Sequence, residues 1–212
     1  MKDIRTEPFY PVSEAARLLR VPASTLRAWF DIKAGRSLNF LELLEGYTIQ
    51  VLRTKHQLSM RSIRRAISFL KHDTGEAYPL AMQGLGFEAD RSDLYFTRLG
   101  KLVSASEQGQ LAIRQVLESF LQRVEHDASG LALRFYPLTR DLRTDGPKAI
   151  VIDPALCFGR PCIASRGIAT AMVASRYKAG ESMAELAADY ECGIEAIEEA
   201  IRAELDLQRA AA

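Results

Sequence analysis

Cysteine is scarce in this chain of 212 residues, and its three copies, Cys157, Cys162 and Cys192, form an odd set without paired spacing. That argues against a disulfide scaffold and a structural zinc site, and describes reduced thiols of a cytoplasmic protein with no metal and no cofactor. Long apolar runs are missing too, so no membrane-spanning segment is expected. The charged opening MKDIRTEPF has no apolar stretch behind it to act as a secretory signal. No histidine follows His126 in the chain, and His126 itself has no evident catalytic partner. The CFGRPC segment therefore has no local imidazole to activate a thiol, and it lacks the GxxxxGK[ST] pattern of a phosphate loop. These absences predict a protein that is not an enzyme. Net charge is nearly missing as well: the formal value is +1, so composition alone does not announce a nucleic-acid binder.

What is present is unevenly distributed. Residues 1–75 hold 13 Lys and Arg against 7 Asp and Glu, whereas residues 181–206 hold 9 acids against Arg202 alone. Such polarity suggests one end for nucleic acid and another for protein, although a solvated surface gives the same pattern. Apolar residues make up 48 %, enough to fill the cores of one or two domains.

The stretch YPVSEAARLLRVPASTLRAW, Tyr10 to Trp29, reads as two short helices. Ser13 is the expected cap of the first, whose Ala15, Ala16, Leu18 and Leu19 have helical spacing. Pro22 ends it by removing a donor and restricting Val21. A second helix is expected over Ala23 to Phe30, with Leu26, Trp29 and Phe30 turned inward. That is helix-turn-helix spacing, and it leaves Ser24, Thr25 and Arg27 outward, where hydroxyls and a guanidinium suit phosphates and base edges. Gly35, Arg36 and Ser37 then suggest a wing. A helix follows through Phe40, Leu43, Leu44, Tyr47, Val51 and Leu52, and another from Ser59 to Leu70 is capped by Ser59. Between Arg53 and Lys71 there are six basic residues and no acid, so Arg36, Arg53, Lys55 and Arg64 are further candidates for DNA contact. These stretches together resemble the winged helix-turn-helix of MerR-type regulators. The resemblance implies a dimer reading near-palindromic double-stranded DNA, with Arg27 on the recognition helix and Arg36 at the wing. The chain lacks the long heptad-patterned dimerisation helix and the cysteine cluster of the metal-sensing members.

Between Gly75 and Gly146, DLYFTRL and KLVSAS suggest a small hairpin. EQGQLAIRQVLESFLQRVEH suggests an amphipathic helix reaching Val124, and LALRFYPLTR alternates like a strand. Further on, AIVID reads as a short strand and CFGRPCI as a tight turn around Gly159 and Pro161. A helix from Thr170 to Ala179 ends at Gly180, Ser182 caps MAELAADY, and a last helix follows Gly193. The final pair again has helix-turn-helix spacing. Its second helix carries Glu195, Glu198, Glu199 and Glu204, which repel phosphate, so a protein partner is expected at Glu195, Glu198 and Glu199. The stretch ID…CFGRPCIASRGI…MVASRYKAGESMAELAADYECGIEAIEEAIR resembles the domain of unknown function 433, with ASRGI where that family has a glycine-threonine turn. Joined to a MerR-like winged helix, it resembles the larger VapB-type antitoxins.

The expected fold is mainly α: a MerR-like winged helix-turn-helix plus a small C-terminal helical bundle with a helix-turn-helix-like end and a short β element. The expected domains are residues 1–75 for DNA binding, 76–147 as a mixed α/β middle segment, and 148–212 as the antitoxin-like part. The resemblances imply an antitoxin of a type II toxin–antitoxin system, a homodimer that neutralises a PIN-like ribonuclease toxin and represses its own operator. A transcription regulator without a toxin, or a protein-interaction adaptor, are the alternatives.

Overall fold

In the computed structural model, residues 3–33, 35–56, 58–82, 122–137 and 146–211 are described. The architecture is mainly helical with small β elements, as the sequence patterns require. The expected hairpin in DLYFTRL and KLVSAS and most of the helix after it lie outside the described residues. Inter-residue contacts divide the chain into two units, one built from Met1–Phe40 with Arg134–Ala212, the other from Leu41–Leu133.

The first unit begins with strand β1 (Tyr10–Pro11), followed by helices α1 (Val12–Leu18) and α2 (Ala23–Phe30) and strand β2 (Ser37–Leu38). β1 and β2 pair antiparallel in the register Tyr10↔Leu38 and Pro11↔Ser37, which ties the chain before the helix pair to the chain after it. α1 starts two residues earlier than expected. Pro11, held extended by its ring and by the β1 pairing, occupies the cap position, and no side chain caps this helix, so Ser13 falls inside its first turn. Arg20 ends α1 and Asp31 ends α2 in left-handed conformations, at φ 53° and 49°, the geometry that closes a helix terminus. Ala15, Ala16, Leu18, Leu19, Leu26 and Trp29 are buried, and Phe30 is half-buried.

The C-terminal part of this unit opens with three two-residue strands, β5 (Ile150–Val151), β6 (Cys162–Ile163) and β7 (Ile168–Ala169), forming an antiparallel sheet. Its registers are Val151↔Cys162 and Cys162↔Ala169. Helices α5 (Thr170–Lys178), α6 (Met183–Asp189) and α7 (Ile194–Ala211) follow. Ser182 and Glu185 close a reciprocal capping box at the start of α6. Ile150, Ile163, Val173, Leu186, Ile197 and Ala200 form a continuous core, in which each fully buried Ile, Leu or Val contributes roughly 1.5–3 kcal/mol.

The second unit contains nearly all of helix α3 (Phe40–His56) and helix α4 (Met60–Thr74). It also holds strand β3 (Val124–His126), followed by β4 (Ala132–Phe135), where the boundary between units falls. Ser59 caps α4 as expected, accepting from the Ser62 amide. Val124 corrects the sequence reading: it starts a strand and does not continue a helix. The tight turn after it explains the change, because Asp127 accepts from the amides of Ser129 and Leu131 and reverses the chain.

Candidate nucleic-acid interface

The outer side of α2 is set by its inner side. Leu26 and Trp29 point into the core, and the 100° step of a helix then leaves Ser24 and Arg27 exposed and Thr25 half-exposed. Among the described residues Arg27 meets no carboxylate. Arg36 is exposed just before β2, behind a turn in which Gly35 adopts φ 82° and the Arg36 amide donates to the Lys33 carbonyl. Ser24, Thr25, Arg27 and Arg36 thus belong to the first unit.

The other three candidates belong to the second. Arg53 is exposed on α3, but its guanidinium also donates to the Leu58 carbonyl at 3.2 Å, so it shapes the α3–α4 connection. Lys55 lies on α3 near its end. Arg64 is exposed on α4, and Arg61 and Arg65 are exposed beside it on the same helical face, opposite the buried Ile63, Ala66 and Leu70. The sequence reading counted the basic residues of this helix without singling out Arg61 and Arg65. Their spacing of three and four from one another was the signal that finds them.

The helix pair is fastened to the C-terminal part of its own unit by polar contacts that sequence reasoning missed. Tyr10 donates from its hydroxyl to the Gly159 carbonyl at 2.8 Å, 149 residues away. Burial, then the Glu14 and Asp153 carboxylates, hold that phenol well above its ordinary range. Arg17 on α1 pairs with Glu204 on α7 at 3.3 Å, and Thr170 donates to the other Glu204 oxygen at 2.6 Å. Glu14 meets Arg160 at 3.6 Å. Nothing local in the sequence signals such pairs, since each joins chain segments far apart.

The acidic set divides. Glu195 is exposed, Glu198 is half-buried, and Glu199 is only 1 % exposed, with Arg202 at 3.5 Å from its carboxylate. Glu199 therefore does not share an open surface with Glu195. Four residues on, Ala203 lies on the same side of α7 and is likewise buried, and this face is turned inward. His126 is half-buried, and burial lowers its imidazole below the ordinary value. Among the described residues, no group of three His, Cys, Asp or Glu side chains is placed to hold a metal ion. No helix among them is long and apolar enough to cross a membrane.

These features define a mainly helical chain with a helix-turn-helix near one end and an acidic helical module at the other. The comparisons with known proteins agree with that class. Residues 150–202 match the family described as "Protein of unknown function (DUF433)". The chain is 27 % identical over 220 residues to "Putative antitoxin VapB45" of Mycobacterium tuberculosis (strain ATCC 25618 / H37Rv), covering 86 % of this chain and 88 % of that protein. Its fold matches the crystal structure of Rv2018 from Mycobacterium tuberculosis with a TM-score of 0.72 at 23 % identity, over 92 % of this chain and 98 % of that one. The chain thus carries a C-terminal DUF433-like region and is a distant relative of a VapB antitoxin.

Proposed function

We propose that this protein is the antitoxin of a type II toxin–antitoxin system. In this reading it is a homodimer that binds operator DNA through MerR-like winged helix-turn-helix elements and neutralises a PIN-like ribonuclease toxin. The observation that carries the reading is the similarity to an antitoxin over 86 % of the chain, alongside the DUF433-like region at residues 150–202. The exposed Ser24 and Arg27 of α2 support the DNA part, with Thr25 at the edge of that face and Arg36 at the wing. Arg53, Lys55 and Arg64 of the second unit supply further positive charge for phosphates. Glu195 and the accessible part of Glu198 face the toxin, whose RNA-binding cleft is expected to be basic. Glu199 supports α7 from inside, through Arg202. The role is binding, not catalysis.

The test has two arms. Co-expression with a PIN-like nuclease encoded beside it is expected to relieve that nuclease's growth arrest, and Glu195→Lys with Glu198→Lys to weaken the relief. Relief untouched by that double reversal places the toxin surface elsewhere. Arg27→Ala, with folding verified by circular dichroism, is expected to weaken operator binding about tenfold and to reduce the salt slope by about one unit if the contact is to phosphate. Unchanged affinity and slope remove Arg27 from the interface. Operator binding without any effect on the nuclease points to a regulator that has no toxin partner.

A further inference from the structure

The turn that receives Tyr10 contains two of the three cysteines. Cys157 and Phe158 both adopt left-handed conformations, at φ 48° and 55°, ahead of Gly159 at 71°. Two consecutive non-glycine residues in that region are strained, and such strain persists only where surrounding contacts enforce it. Here the enforcing contacts are on both sides of the turn. The Gly159 amide donates to Leu156, the Arg160 amide to Cys157, and the Cys157 thiol to the Gly167 carbonyl at 2.9 Å. The result brings Cys157 against Cys162, which is fully buried on β6 beside Tyr136 and Val151. Cys157 packs against the buried cluster that contains Cys162, and the buried Asp153 carboxylate is close enough to act on Cys162.

We propose that Cys157 and Cys162 are a redox modification site, closing to a reversible intramolecular disulfide when hydrogen peroxide reaches the turn. Cys157 is the half-buried member and the one open to a small oxidant, whereas burial pushes the Cys162 thiol up to about 12 and keeps it protonated. The Cys157 sulfur attacks one peroxide oxygen, the O–O bond breaks, and the products are a sulfenic acid and one water. Cys162 then gives its proton to Asp153, its sulfur attacks the Cys157 sulfur, and the S–O bond breaks as the leaving oxygen takes that proton back from Asp153 and departs as a second water. Two thiols are oxidised and one peroxide is reduced to two waters. The bond encloses Gly159, whose carbonyl accepts the Tyr10 hydroxyl, and takes the Cys157 hydrogen away from Gly167. Oxidation therefore acts on the turn against which β1 of the helix-turn-helix is docked. Cys192 lies outside the pair and serves as an internal reference.

The test uses the full chain, reduced, treated with graded hydrogen peroxide, alkylated and mapped by peptide mass. The expected product is a Cys157–Cys162 link that dithiothreitol reverses, with Cys192 still alkylated. In Cys162→Ser, trapping with dimedone is expected to find at least tenfold more sulfenic acid at Cys157 than in the unaltered chain. Mapping the unaltered chain needs no variant to fold. Three results overturn the proposal: Cys157 over-oxidised without a link, a link through Cys192, or an equal yield of the Cys157–Cys162 link from urea-unfolded chain.

Discussion

Gly159 shows how one residue ties remote parts of the first unit together. A Cβ built there would lie 2.2 Å from the Tyr10 hydroxyl, and its φ of 71° already favours glycine. Gly159→Ala is expected to cost about 2–4 kcal/mol of unfolding free energy in urea, combining steric and backbone strain. Tyr10→Phe, which removes only the hydroxyl donor, is expected to cost about 1 kcal/mol. In the second unit, Glu45 is buried on α3 and accepts from the Leu80 amide at 3.4 Å. Burial raises its carboxyl from 4.5 to about 7, against the opposing effects of Lys71 and the amide. Between those two values the folded chain holds more protons than the unfolded chain, so stability falls as pH rises and levels off above about 7. A shift of that size corresponds to about 3 kcal/mol. Glu45→Gln is expected to flatten the profile between pH 4.5 and 7 in urea titrations and to leave more stability at pH 8; an unchanged slope assigns the pH dependence to other groups.

Among the elements, the helix starts show where local chemistry decides and where it does not. Ser59 and Ser182 cap α4 and α6 because each precedes a helix with no stronger constraint on the backbone before it. Ser13 does not cap α1, because Pro11 and the β1–β2 pairing fix the entry two residues earlier. Ser182→Ala is expected to cost roughly 1 kcal/mol and to loosen the first turn of α6, which amide exchange at Glu185 reads directly. Ser13→Ala is expected to change stability by less than about 0.5 kcal/mol. Helical period likewise explains why Arg27 was legible as an outward residue, since Leu26 and Trp29 fix the rotation of α2. The same rule applied to α7 turns Glu199 inward, a result hidden in the sequence by the run of glutamates around it.

At the scale of the whole molecule, the first unit is discontinuous in sequence, joining Met1–Phe40 to Arg134–Ala212. Its helix-turn-helix relies on Gly159 and Glu204 as partners for Tyr10 and Arg17. A fragment of residues 1–75 is therefore expected to unfold at markedly lower temperature than the full chain. Adding a separately made fragment of residues 134–212 is expected to recover part of the difference. Matching thermal midpoints for the fragment and the full chain, followed by circular dichroism, would show that those contacts contribute little. A buried carboxylate deprived of its guanidinium costs several kcal/mol in general, so the loss of Arg17 from the other fragment has its own consequence at Glu204.

The sequence by itself determined most of the described helices, the rotation of α2 about its own axis, two of the three expected caps and the turn around Gly159. All of these follow from period, proline, glycine and short polar side chains acting within a few residues. It also determined the distribution of charge, basic toward the beginning and acidic toward the end. Only the tertiary structure decided that Tyr10 meets Gly159, that Arg17 and Thr170 share Glu204, and that Cys162 is buried against Cys157. Those pairings depend on which buried polar groups find partners once distant segments are brought together, and no local pattern encodes that.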